Sequence, residues 1–224
     1  SEEEPMGALT SPHWETVTTE MRELLKWVGQ QDFISPFYLA GGTALTLQMG
    51  HRKSVDLDFF SQTDEVHERT RQRIIRAIAE RDGQVIENVD GNLVLLVDDV
   101  RVGFFSYGYK LIEPFAQLEN VNVASMLDIG LMKLDAVIGR GSRKDFFDLY
   151  VIAEQYPLEE LLQAGARKYP TSRDFALMAV ESFILFENAE RDVQPELMID
   201  VTWDEVRGYF SEQAKLLGKK WFRK

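Results

Sequence analysis

The 224-residue sequence contains no cysteine and only three histidines. The first absence removes disulfides, thiolate zinc sites and cysteine nucleophiles. The second leaves too few imidazoles for a multi-histidine metal cage. A metal bound here is therefore expected to be a hard cation held by carboxylates. No stretch approaches the roughly eighteen unbroken apolar residues of a membrane span. The opening Ser1-Glu2-Glu3-Glu4-Pro5 is acidic and lacks the charged-then-apolar order of a leader. These absences together read as a cytoplasmic protein. Positive charge is also in short supply: 25 Lys and Arg face 37 Asp and Glu, for a formal net charge of −12. That balance repels phosphates at long range and argues against broad, non-specific nucleic-acid binding, although a local basic groove remains compatible with it.

Hydrophobic residues are 45% and charged residues 28%, enough to build one core, or a modest sheet domain with a smaller helical one. Ser11-Pro12 marks a helix start, with the helix running to about residue 30. Phe37-Tyr38-Leu39-Ala40 is a buried strand that ends on Gly41-Gly42. A short helix follows from Thr43 and stops at Gly50. Residues 54–60 alternate as a strand, and 64–81 read as a surface helix. Three β segments follow near 84–89, 92–97 and 100–107, the last two joined by a hairpin at Asp98-Asp99. From Ser125 onward the pattern is helical. Ser125-x-x-Asp128, Ser142-x-x-Asp145 and Thr202-x-x-Glu205 match or imitate capping boxes. Helices are expected near 126–139, 143–155, 158–168, 173–186 and 203–220. The fold class is α+β, a mixed sheet flanked by helices over residues 1–124 and a helical half over 125–224.

Side chains alternate along a strand, so Val55, Leu57 and Phe59 should point one way and Asp56 and Asp58 the other. Two carboxylates about 6–7 Å apart at Cβ suit one or two shared Mg²⁺ ions. They equally suit the polar outer face of an amphipathic strand. Gly41-Gly42, between a buried strand and a helix, exposes backbone N–H groups at a positive helix end, a natural phosphate cradle to which Thr43 adds a hydroxyl. A β-branched residue at Gly42 would then intrude on phosphate space. The simpler reading is a glycine pair easing a tight turn. Cradle and carboxylates lie about fifteen residues apart on nearby elements, and their combination is far more specific than either part.

Leu39-Ala40-Gly41-Gly42-Thr43-Ala44-Leu45, then His51-Arg52-x-Ser54-x-Asp56-x-Asp58-Phe59-Phe60, resembles the first motif of the AbiEii/AbiGii-type nucleotidyltransferase toxins. Lys133-Leu134-x-Ala136-x-x-x-Arg140-x-x-x-Lys144-Asp145-x-x-Asp148-Leu149-Tyr150 is similar to the family's later motifs, so the resemblance covers roughly residues 36–155. It implies a polymerase-beta-like minimal nucleotidyltransferase fold and the toxin of a type IV toxin–antitoxin system, with a cognate antitoxin as partner. The implied chemistry is transfer of a nucleotide from a nucleoside triphosphate, with Mg²⁺ or Mn²⁺, onto an RNA such as a tRNA 3′ end or onto a protein hydroxyl. The alternative is a non-catalytic NTP-binding or partner-binding member of the same fold.

Carried over by position, Gly41 and Gly42 match the phosphate-binding turn, Asp56 and Asp58 the metal carboxylates, and Ser54 the serine before them. Lys133 matches a lysine near the triphosphate and Asp145 an acid of the far wall, so the helical half is expected to complete the active-site cleft. Lys133 and Arg140 lie seven residues apart and share a helix face that would meet phosphates. From the residues alone, Lys133 also reads as a solvated lysine whose removal would leave stability unchanged. Arg140 reads equally as a helix-end cation, Asp145 as the acid of a capping box, and Lys144 with Asp148 as a surface ion pair. Members of this superfamily often carry a third carboxylate on a neighbouring strand. Here Gly103, in Val100-Arg101-Val102-Gly103-Phe104-Phe105, stands at that place. The basic C-terminus, Lys215 to Lys224 with Trp221 and Phe222, reads as an RNA grip or as the cationic end of the last helix.

Overall fold

Phe37–Ala40 form strand β1, buried at every position. The next two residues, Gly41 and Gly42, open helix α2 (Gly41–Met49), so the chain turns from strand to helix without an intervening loop. The structure, a computed structural model, describes residues 7–222. The acidic opening residues and the final Arg223-Lys224 lie outside the described residues. The chain divides into two compact units between Ser125 and Met126.

In the first unit, helix α1 (Thr19–Val28) begins after Thr18, whose hydroxyl accepts from the Met21 N–H at 3.2 Å. The helix start expected at Ser11-Pro12 is instead a 3₁₀ turn at Trp14–Thr16. Val17 and Thr18 are extended, which breaks the helical path before Thr18 caps α1. After α2 come β2 (Asp56–Ser61), α3 (Glu68–Ile78), β3 (Gln84–Val89), β4 (Asn92–Val97), β5 (Val100–Ser106), β6 (Ala116–Leu118) and β7 (Val121–Val123). The strands form a seven-stranded mixed sheet among the described residues, in the order β3-β4-β5-β2-β1-β7-β6. β2 runs parallel to β5, and β1 parallel to β7; the other pairs are antiparallel. Asp98 and Asp99 hold φ of +50° and +61°, the left-handed pair that a tight two-residue hairpin requires. Strands β6 and β7, absent from the sequence expectation, are joined in the same way at Glu119 and Asn120.

Alternation divides the sheet into two unlike faces. Leu57, Phe59, Val102 and Phe104 are buried on one. There Phe104 stacks on Phe59 at 5.1 Å between ring centroids and meets Phe37 edge-on at 5.3 Å. Asp56, Asp58 and Phe60 point to the other. Val55 does not join the apolar set as expected: β2 begins one residue later, and Val55 is 67% exposed.

The second unit is helical: α4 (Met126–Gly139), α5 (Arg143–Ala153), α6 (Leu158–Lys168), α7 (Phe175–Ser182), α8 (Glu187–Arg191) and α9 (Trp203–Trp221). The helix expected over 173–186 is α7 alone, with α8 a separate short piece after Phe186. Thr202 forms a complete capping box with Glu205. Ser142 occupies the N-cap of α5, but its hydroxyl donates to the Asp145 carboxylate at 2.5 Å and makes no cap bond to the backbone. Phe146 gathers Phe186, Trp203 and Phe210 with centroids 5.1–5.8 Å away. At the end of α9, Lys220 pairs with Glu159 and Trp221 donates to the same carboxylate.

α4 also buries charge. Lys168 donates to Asp128 at 2.8 Å with both side chains fully buried. Removing one partner of such a pair strands the other in a low-dielectric interior, which costs about 3–5 kcal/mol. Lys168→Met should therefore lower the unfolding free energy by about that much in urea titration, while Lys215→Met, on an exposed pair, should change it by less than about 1 kcal/mol.

Candidate active site

The site grows from the register of β2. Asp58 lies opposite Ala40 on β1 and opposite Gly103 on β5; Asp56 lies opposite Arg101. A Cβ added to Gly41 would stand 3.4 Å from Oδ2 of Asp58, and one added to Gly103 would stand 3.2 Å from Oδ1. Each oxygen of this carboxylate thus faces a backbone position that has no side chain. Gly41 has φ +69°, a conformation that L side chains rarely adopt, so both the turn and the open approach to Asp58 require glycine.

The positive φ belongs to Gly41 and not to Gly42. At Gly42 the constraint is Arg52, whose guanidinium occupies the space where a Cβ would sit. Arg52 is 5% exposed and donates to the Lys53 carbonyl at 2.9 Å. A buried cation therefore stands at the start of α2, where the first-turn N–H groups have no partners within the helix. In the sequence Arg52 is a motif residue with no evident role of its own. Its only signal was its place just past the helix-stopping Gly50, because the burial depends on how the 50–56 segment folds back. Thr46 holds that segment by donating to the Arg52 carbonyl. Thr43, expected in the cradle, is buried; its hydroxyl donates to the Asp56 carbonyl and lies 2.8 Å from the Ser54 hydroxyl, which can donate to it. Thr43 and Ser54 thus fix the entry of β2.

Gly103 faces the carboxylates, on the register expected of a third acid. The ring of Phe105, two residues along the same face, lies where a Gly103 Cβ would be. An acid at 103 therefore meets an aromatic wall. Among the described residues no group of three or more His, Asp or Glu side chains could hold a metal ion. Asp56 and Asp58 by themselves would supply only part of a hard cation's shell, and ligand oxygens and water would have to complete it.

In the helical unit, Lys133 is no solvated lysine. It is 4% exposed and pairs with Asp145 at 2.9 Å and with Asp148 at 2.6 Å, both fully buried. Asp148 is accordingly not half of a surface pair with Lys144, which is exposed. Arg140 donates through Nε and Nη2 to the two oxygens of Asp145 at 2.7 and 2.8 Å, and over half of its side chain is exposed. Burial alone would raise the Asp145 carboxyl. The Lys133 ammonium, with hydrogen bonds from Arg140 and Ser142, outweighs it and holds the group well below the usual carboxylate range.

Two predictions follow from this cluster. Lys133→Ala leaves two buried carboxylates without their shared cation, so its cost in urea titration should be about 3–5 kcal/mol. A carboxyl depressed in the folded state contributes stability above its unfolded value, near 3.9, and loses it as pH falls below that. Wild-type stability should therefore decline from about pH 4 downward. Asp145→Asn should be less stable at pH 7 and should show a shallower acid decline in urea titrations between pH 2 and 7.

Known proteins fit this architecture. The sequence profile of the nucleotidyl transferase AbiEii toxin family, type IV toxin–antitoxin system, matches residues 24–217. An uncharacterized protein of Aquifex aeolicus is 34% identical over 201 residues, covering 88% of this chain and 95% of its own length. The nucleotidyltransferase toxin MenT4 of Mycobacterium tuberculosis superposes with a TM-score of 0.52 at 17% identity, over 87% of this chain and 85% of that one, and so shares the fold. The glycine turn, the paired aspartates and the mixed sheet all fall within the matched span, and the chain belongs to the AbiEii family of nucleotidyltransferase toxins.

Proposed function

We propose that this chain is a metal-dependent nucleotidyltransferase that moves a nucleoside monophosphate from an NTP onto a hydroxyl of RNA or protein, as the toxin partner of a cognate antitoxin. The observation that carries this reading is the Asp58 carboxylate, flanked by Gly41 and Gly103 and sharing a sheet face with Asp56. Asp56 and Asp58 would hold Mg²⁺ or Mn²⁺, with triphosphate oxygens and water completing the shell. When bound, such an ion neutralises phosphate charge and activates the attacking hydroxyl. The turn at Gly41-Gly42 offers first-turn N–H groups to the triphosphate, and Arg52 adds a fixed cation there. In the helical unit we assign phosphate contact to Arg140 and Lys144, whose heads reach solvent. We assign Lys133 and Asp145 the task of setting the position of Arg140.

One observation favours a non-catalytic NTP-binding protein instead: glycine holds the place of a third acid, and Phe105 closes it. A single experiment separates the two. Labelled NTPs, Mg²⁺ or Mn²⁺ and total tRNA, or a co-purifying protein, are incubated with wild type and with Asp56→Asn/Asp58→Asn. Transfer should appear with wild type and fall by at least about 10²-fold in the double variant. Calorimetry should show Mg·NTP binding by wild type, with little binding by the variant and an unchanged melting temperature. Equal Mg·NTP binding by both proteins would remove the metal assignment. Binding by wild type without transfer to any acceptor would favour the non-catalytic reading.

A further inference from the structure

Alternation along β5 puts Val100, Val102 and Phe104 in the core and sends Arg101, Gly103 and Phe105 to the face that carries Asp56 and Asp58. Of the side chains that β2 and β5 give to that face, Arg101 is the cation. Parallel pairing sets it opposite Asp56, just as it sets Gly103 opposite Asp58. Neighbouring strands lie about 4.8 Å apart, so the Arg101 and Asp56 side chains leave the sheet side by side. On its other flank Arg101 has Leu96 of β4, which carries no charge.

An arginine so placed is expected to close onto the acid beside it. Arg101 does not. It is exposed and, among the described residues, makes no hydrogen bond or ion pair. Nor does it lie on a sheet edge, where a solvated cation would be ordinary, because β5 runs between β4 and β2. Strand register therefore holds a guanidinium beside the site's acids with its donors unused.

The two flanks of β2 are unlike. On the β1 side stand the glycine turn and the buried guanidinium of Arg52. On the β5 side, glycine takes the place of a third acid, Phe105 walls it, and the residue before it on that face is Arg101. Two ions bridged by Asp56 and Asp58 would lie about 3.5–4 Å apart. The second would find no third carboxylate on β5 and would have a guanidinium for a neighbour, and like charges repel at such range. We propose that Arg101 binds the triphosphate and supplies the second positive charge of the site, so that the centre takes one divalent ion per bound NTP and not two. The inference rests on the nucleotidyltransferase reading and decides, within it, the number of ions. Guanidinium donors suit phosphate oxygens, which they bind by strong and often bidentate hydrogen bonds. A chain of net charge −12 repels a triphosphate at long range, so cations fixed at the site have to offset that repulsion.

The test uses the full chain, a non-hydrolysable NTP analogue and either Mn²⁺ or Mg²⁺. Native mass spectrometry counts the Mn²⁺ ions on the analogue-bound chain, with Asp56→Asn/Asp58→Asn as the blank for ions held elsewhere on the acidic surface. Wild type should carry one ion above that blank. In calorimetry with Mg²⁺ and the analogue, Arg101→Gln should weaken binding about tenfold or more. Arg101→Lys, which keeps the charge, should recover much of that loss, and neither variant should shift the melting temperature. Two ions above the blank in wild type would overturn the proposal. So would wild-type affinity in Arg101→Gln, or a lysine variant that binds no tighter than the glutamine one. If Arg101→Gln melts early, Arg101→Met, which keeps the apolar stem, takes its place. Should wild type fail to bind Mg·NTP at all, the nucleotidyltransferase reading itself fails; if it binds and the ion count or the dependence on Arg101 goes the other way, only the role of Arg101 fails.

Discussion

The two-residue repeat of β2 is the constraint on which the first unit depends. Asp-Leu-Asp-Phe-Phe-Ser sends carboxylates to one face and Leu57 with Phe59 to the other, so a single short strand both anchors the core and presents two acids on its reverse side. A slip of one residue in its pairing would turn the acids toward Phe37 and Phe104 and turn Leu57 and Phe59 out of the core. Parallel pairing to β5 over six consecutive residues, antiparallel pairing to β1 and the Thr43–Ser54 hydrogen bond all hold that register. Charge placement at the site is thus enforced by apolar burial on the reverse side of the sheet.

The helical unit solves a different problem. It encloses charged side chains in a core otherwise built mainly from leucine, isoleucine, valine, alanine and phenylalanine. Lys133 serves two carboxylates at once, and Asp145 accepts from Lys133, Arg140 and Ser142. Every lone pair used in this way offsets part of the cost of leaving water. Arg140 thereby differs from an ordinary surface arginine: two hydrogen bonds to a buried carboxylate fix its plane.

Much of the first unit could be read directly from the sequence. The apolar run into Gly41-Gly42, the alternation at 56–60 and the turn at Asp98-Asp99 are local signals with local causes, and the structure carries each of them. Strands β6 and β7 are three residues long, too short for any period to register, and β7 exists through its pairing with β1 some eighty residues earlier. The burial of Lys133 was equally hidden. It depends on acids twelve and fifteen positions away on the next helix, and a lysine on a helix reads as solvated until that helix folds back. Arg52 failed to announce itself for the same reason. The glycine turn and the β2 acids are local features, whereas the burial of Arg52 and of Lys133 arises from tertiary contacts within their own units.

The contact between Gly103 and the Phe105 ring has a consequence for how such a site could change over generations. An acid arriving at 103 alone meets the ring, and loss of the ring alone opens a gap beside Asp58. The favourable route replaces the aromatic first with a smaller side chain and introduces the acid second, so the two positions are epistatic and the order of replacement matters. At this point in the sheet a side chain at 103 and the present placement of the Phe105 ring exclude one another.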